Sequence, residues 1–242
     1  MNNTLPPISE IWVYLSGSPL LALVLTLSAY LISLTVYERS QCNPLANPVL
    51  IAVVLVCLSI SVLDMPYAQY FEGAQFVHFL LGTATVSLAI PIYKGFTSLK
   101  GRMGVLLLSL MAGGITSVLT AVGMALWLGV DEALVRGLVA KSVTAPIAMG
   151  IAERVQASPT LTAIFAVSTG ILGAVLGRYV LDALRITAWW QRGFALGVAA
   201  HGIGTSRAFS VNAQAGAYAS LGMGLHGIAG AMLIPYVVLG WF

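Results

Sequence analysis

Apolar runs long enough to cross a bilayer recur along this chain from one end to the other, and nothing else constrains its fold as strongly. They fall at residues 19–36, 48–63, 76–93, 103–128, 161–176 and 218–241, separated by short polar breaks. A hydrocarbon core accepts roughly 20 apolar residues as one helix. Backbone N–H and C=O groups find no partner in lipid, so only helices and closed barrels can span it. None of the runs alternates with the period of two that a barrel strand needs. The expected class is therefore all-α, a polytopic transmembrane helical protein. Charged residues make up only 8% of the 242-residue chain and mean hydropathy is +0.94. Soluble domains carry about 25% charged residues, so a soluble enzyme, a disordered chain and a nucleic-acid reader are excluded. Residues 1–10 contain no Lys or Arg, which a secretory leader requires, so the first run reads as a retained helix.

Two further segments, 133–151 and 193–207, are apolar enough to enter the membrane but carry polar, Gly and Pro interruptions. They bring the expected total to about seven or eight membrane segments. They also belong to an internal repeat: a shift of 57 residues places GILGAVL (170–176) on GIAGAML (227–233) and Thr144 on His201. Gly/Ala-rich helices also resemble one another through composition alone, because close helix association in lipid favours small residues. On the repeat reading, residues 1–130 are N-terminal scaffold helices, 131–177 the first repeat and 193–242 the second.

Charge counting bears on orientation, since Lys and Arg accumulate on the cytoplasmic side. If both interrupted segments cross fully, Arg39, Lys94, Lys100, Arg102 and Arg154 lie opposite Arg136, Arg178, Arg185 and Arg192, a split of five against four. If the segment around Lys141 enters and returns, Arg178, Arg185 and Arg192 join Arg39, Lys94, Lys100 and Arg102, leaving only Arg136 and Arg154 outside. The second arrangement fits better and makes the two repeats antiparallel, the inverted symmetry common in secondary transporters.

The first interruption reads KSVTAP and contains Lys141, Ser142, Thr144 and Pro146. An ammonium at membrane depth is costly and calls for an anion, and the proline disturbs helical hydrogen bonding. Snorkelling of Lys141 to an interface is the plainer alternative. The second reads HGIGTSR: Gly202 and Gly204 let the backbone leave the helix, and His201, Thr205, Ser206 and Arg207 supply donors. Arg207 can fork onto a carboxylate. His201 titrates in a range suited to proton coupling, although a lone histidine is more often structural. Asp64 and Glu72 in DMPYAQYFEG mark a solvated outer loop, and Asp131 and Glu132 complement a helix start. No nucleophile–base pair, phosphate-binding loop or metal-ligand spacing is visible, and the two cysteines, Cys42 and Cys57, form no framework. No enzyme activity, cofactor or metal is expected.

NPVLIA (47–52), LGTATVSLAIPIY (81–93), KSVTAPIA (141–148), TGILGAVLG (169–177) and HGIGTSRA (201–208) occur in the order and approximate spacing of one family. On these motifs the chain resembles the LrgB/CidB membrane proteins, which include the LrgB-like half of the plastidal glycolate/glycerate transporter. The resemblance implies transport of small carboxylates such as glycolate, glycerate or pyruvate, and a small four-helix LrgA/CidA-type partner. It also carries an alternative, holin-like or antiholin-like regulation of murein hydrolase export and cell lysis. Lys141, Ser142, Thr144 and Pro146 match the family's PKSVTTPIA motif, and His201, Gly204, Thr205 and Arg207 its SHAIGTAR motif. Ala140 and Thr83 stand where prolines are usual, and Ser210 where an acid commonly follows, leaving Arg207 without an evident internal counter-ion. The expected function is a secondary-type carrier in the bacterial inner membrane, a homodimer in which Lys141 and Arg207 converge on one carboxylate. Ser142, Thr144, Thr205 and Ser206 bind its oxygens, and His201 links a proton.

Overall fold

A computed structural model of the chain describes residues 19–87, 89–90, 93 and 101–241. Among these residues the secondary structure is nine α-helices and one 3-10 turn, with no strand. The helices are α1 (Pro19–Arg39), α2 (Pro48–Val62), α3 (Tyr67–Ser87), α4 (Met103–Trp127), α5 (Glu132–Leu138), α6 (Ala145–Arg154), α7 (Pro159–Ala183), α8 (Trp189–Val211) and α9 (Ala213–Trp241). Four of them, α1, α4, α7 and α9, are long and apolar enough to cross a membrane, and α2 is a shorter apolar helix. The chain is an all-helical, integral, multi-pass membrane protein. The expectations about residues 1–10, Lys94 and Lys100, and part of the run at 76–93, lie outside the described residues.

The chain divides into two compact units, Met1–Ala84 and Thr85–Phe242. In the first, Asn47 caps α2, its Oδ1 accepting from the N–H groups of Val49 and Leu50 at 3.0 and 3.1 Å, with Pro48 pre-set for the first helical position. The stretch expected as an outer loop is instead a turn at Asp64 (φ 49°) leading into α3. Its helix is drawn in by packing: the Tyr70 and Thr26 hydroxyls meet at 2.8 Å, and a Cβ on Gly73 would lie 2.6 Å from Ala22 Cβ.

The second unit is built on α4, α7 and α9, with two helical hairpins set among them. The first hairpin is α5 and α6 joined by the non-helical residues 139–144. The Arg136 guanidinium donates to the Val155 carbonyl at 3.4 Å, which fixes its two ends side by side. The second is α8 itself, which reverses at His201 (φ 39°, ψ −128°). A Cβ on Gly204 would lie 2.6 Å from both Ala200 Cβ and the Leu196 carbonyl oxygen, so residues 202–211 fold back along residues 189–200. Asn212 then caps α9, its Oδ1 accepting from the N–H groups of Gln214 and Ala215 at 2.9 and 3.1 Å.

The hairpins open at opposite ends of α7. Gly137 faces Thr162 near its start, whereas Leu196, Ala200 and His201 lie against Gly177, Gly173 and Gly170 in turn. Val122 and Ala125 of α4, Val135 and Val155 of the first hairpin, and Val238 of α9 form one buried cluster. Leu106 and Leu110 of α4, Phe194 and Val198 of α8, and Tyr218 and Leu221 of α9 form the other. Basic residues divide accordingly. Arg178, Arg192 and Arg207 line one cavity, Arg102 covers the Trp190 ring at 4.9 Å, and Arg185 follows α7. Arg136 and Arg154 lie at the far end with the first hairpin's opening. In a protein from which Cys42 and Cys57 have been replaced, single cysteines at positions 154 and 185 should therefore be labelled by an impermeant thiol reagent from opposite sides of sealed vesicles. Labelling of both from one side would contradict this fold.

Candidate functional site

The two hairpin tips lie level with the midpoints of the long helices. Lys141 bonds Ser117 of α4, Ser142 bonds His226 of α9, and His201 bonds Ala166 of α7. Each of these helices is about 37 to 44 Å long at 1.5 Å per residue. If they cross the bilayer, the tips stand near mid-depth, where irregular backbone survives only if it is buried in protein or lines a cavity.

At the first tip, Lys141 Nζ donates to the Ser117 hydroxyl at 3.0 Å. Among the described residues, no carboxylate lies within ion-pair distance of it; Glu132 pairs instead with Arg136, and Asp182 with Arg178 and Arg192. Lys141 faces a cavity of about 880 Å³ between α4, α7 and α8. Ser117 and Thr169 share its deep end, and Ile186, Trp190 and Gln191 stand where it nears the arginine-rich end. Ser142 is buried and shares a 3.1 Å hydrogen bond with His226 Nε2. Thr144 is buried with its hydroxyl unpartnered. Pro146 was expected to break the helix, but it occupies the first turn of α6, where its missing N–H has no intrahelical partner to lose. The break is the run 139–144 before it.

At the second tip the expected helix-breakers were Gly202 and Gly204. The residue that leaves helical geometry is His201, while Gly202 and Gly204 lie within the returning limb. Gly204 is required for close approach to residues 196 and 200. A non-glycine at φ 39°, ψ −128° carries strain of order 1–3 kcal/mol. His201 Nε2 donates to the Ala166 carbonyl at 2.8 Å, and because a carbonyl can only accept, the proton sits on that nitrogen. Two substitutions separate strain from bonding. Both His201→Ala and His201→Gly lose the bond to Ala166, but only glycine tolerates positive φ. The glycine variant should unfold at the higher temperature in detergent, and the reverse order would show that the backbone at 201 is unstrained.

The remaining expected ligands disperse. Thr205 is buried, its hydroxyl directed at Met223 Sδ at 3.8 Å. Ser206 is exposed. Arg207 does not converge with Lys141: it lines a separate cavity of about 370 Å³ at the base of the second hairpin. Nor is it remote from a carboxylate, because Asp182 of α7 lines that same cavity. The chain reversal at His201 causes this, since it carries Arg207 back toward Trp189 while leaving His201 at the tip. The residues that do join Lys141, Ser117 and Thr169, lie in runs read only as spans. A signal exists: Ser109, Gly113 and Ser117, and likewise Thr169, Gly173 and Gly177, are small or polar residues spaced by four, each set forming one helix face on this cavity.

Fold and site thus define a multi-pass helical membrane protein with two hairpins whose polar tips meet its long helices at mid-length. The LrgB-like family matches residues 26–239, and the chain belongs to that family. Among its relatives, the uncharacterised protein YwbG of Bacillus subtilis is 33% identical over 219 residues, covering 90% of this chain and 97% of that protein. The holin-like protein CidB of Staphylococcus epidermidis is 26% identical over 219 residues, covering 90% and 95%. CidB of Staphylococcus aureus, also holin-like by name, is 26% identical over 220 residues, covering 91% and 96%. No solved structure matches the chain.

Proposed function

We propose that the protein is a secondary-type carrier of small organic acids, not an enzyme, with its substrate site at the deep end of the cavity between α4, α7 and α8. The observation that carries this reading is Lys141, an ammonium whose partner is a serine hydroxyl and which faces about 880 Å³ of open volume. A cation held at that depth with no carboxylate beside it among the described residues favours an anion as its partner. A carboxylate of two to four carbons would take the ammonium on its charged end, with Ser117 and Thr169 as hydroxyl partners. His201, across from the first tip, is the candidate for proton linkage.

An inverted repeat supports the same reading. The offset of 57 residues that aligns the two small-residue motifs also carries Glu132 to Trp189 and Arg154 to Val211, the ends of the two hairpins. Each tip touches the long helix of the other repeat, Ser142 on α9 and His201 on α7. Hairpins meeting from opposite ends at a central site are the arrangement by which carriers alternate access. The positive-inside rule then assigns the end bearing Arg102, Arg178, Arg185 and Arg192 to the cytoplasm of a bacterial inner membrane. A homodimer and a small LrgA/CidA-type membrane partner complete the proposal.

A second reading has the printed names of relatives in its favour: the CidB proteins are called holin-like. A holin-like protein acts through lesions or partners and needs no saturable site. Reconstitution into liposomes separates the two. A carrier takes up labelled glycolate or pyruvate with saturation, responds to an imposed pH gradient if a proton is linked, and retains a trapped dye. Dye release without saturable uptake would establish the holin-like reading instead.

A further inference from the structure

The cavity that holds Lys141 is far larger than a two-carbon acid needs. Lys141, Ser117 and Thr169 gather at the deep end of about 880 Å³. Along α7 the cavity runs from Thr169 to Val180, on the order of 16 Å at 1.5 Å per residue. Beyond the deep end its walls are apolar. Leu106 of α4 and Phe194 and Val198 of α8, all buried, form the inner side, and the exposed Leu172, Leu176 and Val180 of α7 the outer. Ser109 interrupts this wall, but its hydroxyl donates to the Val105 carbonyl of its own helix at 2.8 Å. Gln191 stands only at the mouth. A charged floor beneath a long apolar shaft matches an ion with one charged end and a hydrocarbon tail, since a few polar groups orient a ligand and apolar walls hold the rest.

We propose that the apolar stretch is a tail subsite, and that the protein binds medium-chain aliphatic monocarboxylates, of the size of hexanoate or octanoate, more tightly than shorter acids. This specificity rests on Lys141 being the carboxylate-binding group of the proposed carrier site. Each methylene taken out of water contributes about a three- to fourfold gain in affinity. The gain continues until the tail reaches the mouth at Trp190 and Gln191. A dicarboxylate of the same length is disfavoured, because its second charge would be desolvated against Leu176 and Phe194.

Competition at equilibrium tests this. Labelled hexanoate is bound to the purified full chain in phosphatidylcholine nanodiscs, with binding to empty nanodiscs subtracted. It is then displaced by unlabelled propanoate, butanoate, pentanoate, hexanoate and octanoate. Half-displacing concentrations should fall about three- to fourfold per methylene. Hexanol, which lacks the charge, and adipate, which carries two, should each be weaker than hexanoate by about tenfold or more. Lys141→Met should abolish specific binding in a chain that still elutes as one species. Ala195→Phe, which adds a ring beside Phe194 on the cavity wall, should flatten the series. Should that variant not fold, the series on the unsubstituted chain decides alone. A flat series, equal displacement by hexanol, or no hexanoate bound above empty nanodiscs would overturn the tail subsite. So would hexanoate binding that persists in Lys141→Met. Binding is read here without transport. Saturable pyruvate uptake in liposomes with a flat series would leave the carrier standing without its tail subsite, and dye release with a steep series would do the reverse.

Discussion

Replacing Lys141 with methionine should abolish saturable uptake of short carboxylates in liposomes while the protein still inserts and elutes as a single species. Methionine keeps most of the side chain's length and apolar stem, so the surrounding Val139, Ala140 and Val143, all buried, need not rearrange. What disappears is the ammonium, and with it the charge partner of the anion. Two unit charges 4 Å apart at an effective dielectric of 20 attract by about 4 kcal/mol. At about 1.4 kcal/mol per factor of ten, the loss is close to three orders of magnitude in affinity. Initial uptake rates over a substrate series measure it directly. Lys141→Arg keeps the charge but changes its shape, and should retain partial uptake with a raised half-saturating concentration. Unchanged uptake in the methionine variant would remove Lys141 from the site and with it the carrier proposal. The holin-like reading expects dye release indifferent to this substitution.

The largest effect on folding should come from Gly197→Val. A Cβ at Gly197 would fall on the backbone of Ala219, its carbonyl oxygen first, and Gly193 stands in the same relation to Ala215. Neither neighbour is a flexible side-chain end, so the first limb of α8 and the first turns of α9 would have to move apart. Close helix approach through small residues is a main source of association in lipid, where the hydrophobic effect does not drive helices together. The separation would also open the small buried cluster of Ala208, Ala215 and Ala219. Overpacking of this kind costs about 1–3 kcal/mol where side chains can yield, and more where backbone must shift. The expected result is at least 3 kcal/mol of destabilisation by the same bookkeeping, seen as loss of monodisperse protein and a lowered melting temperature. Gly82, whose added Cβ would meet nothing within 4 Å, provides the control: Gly82→Ala should leave both unchanged.

Several features were legible from residues alone because they depend on local chemistry or on lipid. The long apolar runs became α1, α4, α7 and α9, since a backbone in hydrocarbon must satisfy its own hydrogen bonds. The interruptions at KSVTAP and HGIGTSR marked real breaks, because polar groups and glycine or proline in such runs are too costly to be incidental. Lys141 stood out from its apolar neighbours as an ammonium that calls for an anion. The motifs also carried the family, which the match over residues 26–239 establishes.

Only the tertiary structure decided where those groups go. A break in a helix does not reveal the angle at which the chain leaves it, and at His201 that angle is a full reversal. The reversal sends Arg207 to the base of the hairpin and separates it from Lys141. The same ignorance of direction hid Ser117 and Thr169, whose spacing by four defines a helix face but not what that face meets. It also hid His226, the partner of Ser142 across 84 positions of sequence. Lipid solvation acts on each segment separately and is written in composition. Convergence of side chains from distant segments depends on backbone torsions at a few residues, and no local pattern encodes those torsions.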